Sequence, residues 1–352
     1  MTVLAELIRS KIATSGPISM AEYMSHCLGH PEHGYYMTRD PLGVRGDFTT
    51  SPEISQMFGE MLGAWLMQTW VDHGRPTPFV LAEAGPGRGT LMRDILRVAA
   101  ILPRFLEGAH IHLIEISPTL RDIQAETLKG HDITWCGSLD DLPSGPAFLV
   151  ANEFFDALPV HQFQRTDALW RERLVFLRDG GLQLTWSEPK TESRLNARFP
   201  HAADGTIVEV CPAGERIMFK LSERIANSGG GALIVDYGTW DGTGDTLQAL
   251  AGHAPTDPLF APGQADITAH VRFKGLADMA TGAKIHGPVP QGVFLERLGI
   301  TARAQALAAK QCGEAHNSIV TAHRRLTHPD EMGNHFQVMG LTPNAAPAPP
   351  GF

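Results

Sequence analysis

The sequence predicts an α/β protein organised on a Rossmann-like sheet, and three observations carry that prediction. Residues 79–91 read as an apolar strand ending in Glu83, a turn with Gly85, Gly87 and Gly89, and a helix start with Leu91, Ile95 and Leu96 on one face. Further short apolar runs follow at 111–115, 133–136, 147–151, 232–238, 284–288 and 336–341, mostly separated by helical spacing. Together they make a mixed seven-stranded sheet with helices on both faces. Several runs also end in acids or an amide: Glu83, Glu115, Asn152-Glu153 and Asp236. The carboxyl ends of strands in an open parallel sheet form the ligand crevice, so these side chains are expected to share one site.

The glycine turn narrows the ligand. Glycines accept positive φ and let a ligand come close, and free N–H groups at a helix start favour an anionic group. A dinucleotide fingerprint places its third glycine one residue later than Gly89. Glu83 would repel a pyrophosphate but can pair with an ammonium. S-adenosylmethionine (SAM) carries an ammonium, a carboxylate and a sulfonium, and it suits Glu83 with Gly85, Pro86, Gly87 and Gly89. The bland alternative is a strand-to-helix turn without a ligand.

In chain order, residues 2–14 and 19–28 show helical spacing, with Ser19 and Glu22 as a capping box. Residues 29–50 read as a long loop. Ser51-Pro52-Glu53 reads as a helix start with Ser51 as N-cap, and the helix is expected over 52–71. The polar stretch Gly46-Asp47-Phe48-Thr49-Thr50-Ser51-Pro52 either folds over the cofactor or is only a capped helix entry; long irregular loops are often functional. Glu115 ends the second strand and is expected at ribose hydroxyls, or else is a surface carboxylate. Asp140 either contacts the adenine amino group or caps its turn. The fourth strand delivers Asn152, Glu153 and Asp156, the chosen centre of the chemistry; the plain alternative is an acidic helix N-terminus capped by Asn152. Asp236 ends the fifth strand as a third acid toward the crevice.

Residues 160–210 read as an antiparallel insertion with an Asp179-Gly-Gly hairpin signal. Residues 239–265 read as an exposed loop or lid, and residues 290–326 as helical. The expected organisation is an N-terminal helical cap over 1–75 and a core over 76–341. Insertions are expected at about 160–210 and 288–330, with a flexible tail over 342–352.

Composition excludes several classes. The formal net charge of −9 comes without a basic run, which argues against a nucleic-acid surface. Cys27, Cys136, Cys211 and Cys312 are scattered, no C-x-x-C occurs, and the histidines show no ligand spacing, so no metal site is expected. No apolar run approaches a membrane span. The first residues look like a short helix rather than a targeting peptide, so a cytoplasmic location is expected.

Taken together, several stretches resemble the MidA-type SAM-dependent methyltransferases, a family that includes a mitochondrial protein-arginine methyltransferase assisting complex I assembly. They are Glu22-Tyr-Met24, Gly34-Tyr-Tyr36, Gly46-Asp-Phe48, Thr50 to Ser55, Glu83 to Leu91, Asn152 to Pro159, Asp236-Tyr-Gly238 and Asp266 to Val271. Arg272 departs from the pattern, where the family commonly has an acid. The resemblance implies a class I methyltransferase fold with SAM as cofactor. For the mitochondrial member it implies symmetric dimethylation of an arginine in a complex I core subunit. On this reading Glu153 is the principal clamp on an acceptor guanidinium, with Asp156 and Asn152 in support. Carboxylates grip a guanidinium bidentately and can accept its proton. The expected partner is a protein substrate, with a homodimer compatible. A small-molecule methyltransferase and a SAM-binding assembly chaperone are the alternatives.

Overall fold

Seven strands form the main sheet, numbered here in chain order: β1 (Phe79–Ala84), β2 (Ala109–Ile114), β3 (Ile133–Cys136), β4 (Ala147–Asn152), β5 (Gly230–Thr239), β6 (Ala283–Pro290) and β7 (Phe336–Pro343). Residues 2–38 and 50–352 are described in this computed structural model. The spatial order is β6-β7-β5-β4-β1-β2-β3. Strands β1 to β5 pair in parallel, while β7 runs antiparallel between β5 and β6. The short strand Val271–Arg272 adds an eighth partner, parallel to the end of β5. The chain winds outward in both directions from the β4–β1 pair, which places a crevice at their carboxyl ends.

Strands β1 and β4 are buried at every residue, as expected of a sheet covered on both faces. Their side chains alternate between two cores. Leu81, Phe148, Val150, Leu233 and Val235 face the helices Gln56–Asp72 and Thr90–Ala99. Val80, Ala82, Leu149, Ala232 and Ile234 face the helix Pro212–Ser228.

The helix expected over 52–71 is broken. Thr50, not Ser51, stands at the N-cap of a short helix Ser51–Ile54. Ser55 then takes extended dihedrals, and its hydroxyl accepts from Met57 N–H to start Gln56–Asp72. That second helix crosses Thr90–Ala99 closely because it presents glycine there. A Cβ at Gly59 would lie 2.6 Å from Asp94 Cβ, and one at Gly63 2.5 Å from Val98 Cγ1.

The segment expected as one cap over 1–75 divides between two bodies. Helices Val3–Ser15 and Met20–Gly29 pack on the insertion, sharing a core with Val160, Val175 and Ile267, whereas Gln56–Asp72 belongs to the main sheet. Ser19 does cap its helix, accepting from Glu22 N–H at 3.1 Å. The insertion is an antiparallel sheet of His161–Thr166, Leu169–Arg178, Gly181–Trp186 and Ile207–Val210, joined by Ile18–Ser19 from the N-terminus.

Two irregular stretches are more ordered than their composition suggests. Residues 239–265 carry the strands Gln248–Ala251 and Ala254–Thr256, which pair into a small sheet with Asp266–Thr268. Pro258 O from this stretch accepts the Tyr23 hydroxyl at 2.6 Å, so it is not a bare exposed loop. The tail is docked rather than flexible. Trp65 Nε1 donates to Pro350 O at 3.1 Å, and the Phe352 ring lies 5.3 Å from that of Phe294. No helix among the described residues is long and apolar enough to cross a membrane.

Glu60 ties three helices together. It is 3% exposed and accepts from Arg97 at 2.8 Å and from Arg303 at 2.7 and 2.8 Å. Burial raises its carboxyl pKa, but the bonds from Arg303 and Arg97 outweigh burial and hold it below the usual 4.5. Its stabilisation is therefore complete above the unfolded value and lost as pH falls through the folded one. Glu60→Gln should cost about 1–3 kcal/mol at neutral pH, a range discounted because both arginines are partly exposed. Urea unfolding should show that gap closing in acid; a gap that stays constant with pH would contradict the ion-pair account.

Candidate active site

A cleft of about 490 Å³ opens at the carboxyl ends of β1, β2 and β4. Its floor is the glycine turn. Gly85, Gly87 and Gly89 all take positive φ, and Gly89 stands at the N-cap of Thr90–Ala99. Gly85 is also constrained by approach, since a Cβ there would meet Phe154 Cδ2 at 2.8 Å. Gly85, Pro86 and Gly87 line the cleft; Gly89 lies beneath it, with Gln124 and Leu128 nearest.

Glu83 reaches the cleft from the end of β1 with 2% exposure. Its Oε2 has no hydrogen-bond partner. Burial, with a smaller contribution from Glu115, pushes its carboxyl up to about 8. Glu115 is better provided for. Its Oε1 accepts from Ser117 N–H at 2.7 Å and its Oε2 from Gln124 Nε2 at 3.2 Å. Gln124 also donates to Gly87 O at 2.7 Å and accepts from Trp135 Nε1 at 2.9 Å, which locks the acid to the glycine turn. Burial raises the Glu115 carboxyl as well.

Asn152 and Glu153 enter from the end of β4. Glu153 Oε1 accepts from Ser51 N–H at 2.9 Å and from Asn152 Nδ2 at 3.0 Å. Thr50 and Pro52 line the same wall, while Ser51 lies behind it and acts through that N–H. Asp156 is 6% exposed, sits behind the cleft wall rather than in it, and has an unpartnered Oδ1; Asn152 Oδ1 is unpartnered too. Burial, then the neighbouring Asp156, raises Glu153 to about 7, and burial raises Asp156 to about 6.

Two expectations change. Asp140 does not line the cleft: its exposed side chain pairs with Lys220, while the backbone-bearing residues Gly137, Ser138 and Leu139 form that wall. The capping falls to Asp141, whose Oδ2 accepts from Gly137 and Ser138 N–H at 3.0 and 2.8 Å. Asp236 does not reach the crevice either; it is fully buried and its oxygens face backbone. The expectation that Gly46, Asp47, Phe48 and Thr49 help close the site lies outside the described residues.

The sequence reading missed Gln124, Glu53, Arg88 and Tyr36. Glu53 accepts from the Thr90 hydroxyl and lies 4.0 Å from Arg88, and both line the cleft. The Tyr36 hydroxyl donates to Asp266 Oδ1 at 2.7 Å. Glu53 looked like an acidic first turn, and Gln124 like one face of a polar helix; nothing local marks either.

The chemistry of the cleft fits SAM. A buried carboxyl with one unpartnered oxygen suits an ammonium, a carboxyl with two part-used oxygens suits a ribose diol, and the apolar walls at Ile116, Leu120 and Leu139 suit a purine. A sequence family described as "Putative S-adenosyl-L-methionine-dependent methyltransferase" matches residues 61–289. The chain belongs to this family of SAM-dependent methyltransferases. Its cofactor is S-adenosylmethionine.

The methyltransferase is 41% identical to the Danio rerio protein named "Protein arginine methyltransferase NDUFAF7, mitochondrial", over 95% of this chain and 85% of that one. It is 40% identical to the Homo sapiens protein of the same name, over 98% and 84%. A crystal structure from Burkholderia thailandensis with S-adenosyl-homocysteine bound superposes with a TM-score of 0.86 at 28% identity, covering 98% of this chain and 93% of that one. The relatives are named as mitochondrial proteins, which overturns the expectation of a cytoplasmic location.

The glycine turn gives a direct test. Gly85→Ala adds a Cβ at φ +64, a conformation that costs a non-glycine residue about 1–2 kcal/mol, and drives it against Phe154. Titration calorimetry should find SAM binding weakened at least about tenfold; unchanged affinity would mean the turn is not shaped for the ligand.

Proposed function

We propose that this methyltransferase transfers a methyl group to an arginine side chain of a protein, with a complex I core subunit as the acceptor its family resemblance suggests. The observation that carries the reading is a surplus of buried acceptors. Asn152 Oδ1, on the cleft wall, lacks a donor beside Glu153, whose Oε1 alone is taken by Ser51 and Asn152. A guanidinium is the complement: planar, permanently charged, with five donors and no acceptor. The names of the relatives support the same acceptor.

The residues divide the work. Glu83 would pair with the cofactor's ammonium and Glu115 with its ribose, and the backbone of Gly85, Pro86 and Gly87 would receive the rest. When bound, SAM supplies an activated methyl group. Glu153 holds the acceptor guanidinium through Oε2 and points one nitrogen at the cleft; alignment of this kind supplies several kcal/mol of rate enhancement. The nitrogen that gains the methyl must lose a proton, and Glu153, raised to about 7, is suited to receive it.

The acceptor class is tested with tritium-labelled SAM and protein extract from cells lacking the gene. Label should appear as methylarginine after hydrolysis; label confined to other products would refute the arginine reading. Glu153→Gln should keep SAM affinity within about threefold and lose about 10²-fold or more in transfer rate. A variant that turns over at the normal rate would remove Glu153 from the mechanism.

Glu83 gives a pH signature. At about 8, its carboxyl is largely protonated without ligand at neutral pH, yet an ammonium favours the ionised form. Binding therefore expels a proton below that value, and SAM affinity rises with pH toward 8 by at most about tenfold per unit. Glu83→Gln should flatten the profile; a slope that survives the substitution would refute the pairing.

A further inference from the structure

We propose that Asp236 is the positioning residue for Glu153: it shapes the loop that presents Glu153 and does not itself meet the acceptor. The proposal rests on the reading of Glu153 as the acceptor clamp.

Asp236 lies on β5, fully buried, beside the end of β4. The β4–β5 ladder finishes where Glu153 N–H donates to Val235 O at 2.9 Å. Beyond that point the chain turns and its next N–H groups lose any strand partner. All three are collected by one oxygen. Asp236 Oδ2 accepts from Phe154, Phe155 and Asp156 N–H at 3.2, 2.9 and 3.3 Å. The other oxygen, Oδ1, accepts from Tyr237 N–H at 3.0 Å. Successive N–H groups converging on one carboxyl oxygen form a concave nest, and the nest dictates the curvature of the loop.

That curvature has a local cost at Glu153, which sits at φ +51. A non-glycine residue holds this conformation only where its surroundings over-determine it. Here they do so from both sides: Val235 O accepts its own N–H, Asp236 fixes the three residues that follow, and Ala269 N–H, donating to Asp156 O at 3.0 Å, pins the far end. The consequence is placement of the Glu153 carboxylate against Ser51 N–H and Asn152 Nδ2, with Oε2 left over. Asp236 cannot offer an acceptor the same service, because it is fully buried outside the cleft with its carboxyl turned to the backbone. Asp156, with a bare Oδ1, differs in that respect.

The experiment uses the full-length protein, tritium-labelled SAM and extract from cells lacking the gene, with rates expressed per SAM-binding site. Asp236→Ala should bind SAM within about threefold of wild type and lose about 10²-fold or more in rate. Asp236→Asn keeps an acceptor oxygen at the same reach and should lose less than about tenfold. Hydrogen exchange should speed up at 154–156 in Asp236→Ala while β1 stays protected. The double variant with Glu153→Gln should be no slower than Glu153→Gln alone, since one residue acts through the other. Multiplying losses, or an Asp236→Ala variant at full rate, would overturn the positioning role. So would SAM affinity falling in step with the rate, the mark of a merely structural residue. A fully active Glu153→Gln would instead sink the clamp reading, and the two failures are told apart by which variant keeps its rate.

Discussion

A carboxyl group taken out of water needs hydrogen-bond partners, and the carboxyl edge of this sheet is built on that constraint. Asp236 receives four backbone N–H groups. Glu115 receives one backbone and one side-chain donor. Glu83 and Asp156 each retain a buried oxygen with nothing to accept. The placement of donors thus sets Asp236, turned wholly to the backbone, apart from Glu83, which keeps a bare oxygen in the cleft. Away from the cleft, Glu60 meets the same demand with two guanidiniums and serves as a joint between helices. Chemically identical groups thus do three different jobs, and the difference lies in what surrounds them.

Much of this was legible from residue order. Strand β3 falls at 133–136 as periodicity predicts, and the glycine turn, the Ser19 cap and the hairpin at 179–181 are where their local chemistry requires. Glu83, Glu115, Asn152 and Glu153 were legible as cleft residues because each follows an apolar run ending at one edge of the sheet. What escaped depends on partners remote in sequence. Nothing near Gln124 announces that it spans Glu115 and Gly87, and nothing near Asp236 announces that its carboxyl is turned to the backbone. Asp140 and Asp141 are adjacent and alike; only three dimensions give one the turn and the other Lys220. The tail misled for a related reason. Proline and alanine carry no period, so the pocket that receives Phe352, formed by Phe294 and the glycines of β6 and β7, leaves no trace in the tail itself.

The broken helix at 51–56 shows how a local irregularity serves a site. The first N–H groups of a helix have no partner within it and are available to a neighbour. In the short helix that ends at Ser55 the leading N–H, from Ser51, meets Glu153. Glu53 on the same turn reaches Thr90 on the far side of the glycine loop. The interruption therefore stitches together the two strands that carry the reacting parts.

The attachment of the N-terminal helices bears on when the enzyme can begin to work. Met24 and Leu28 form part of the cleft wall, and their helix is tied down by the Tyr23 hydroxyl on Pro258, 235 residues away; Thr2 reaches Pro262 across 260 residues. Closing loops of that size is slow, because the entropy is lost before the contacts form. A nascent chain on the ribosome will carry its glycine turn long before it owns a finished pocket. Competence for the cofactor should thus arrive late, after synthesis has passed residue 262.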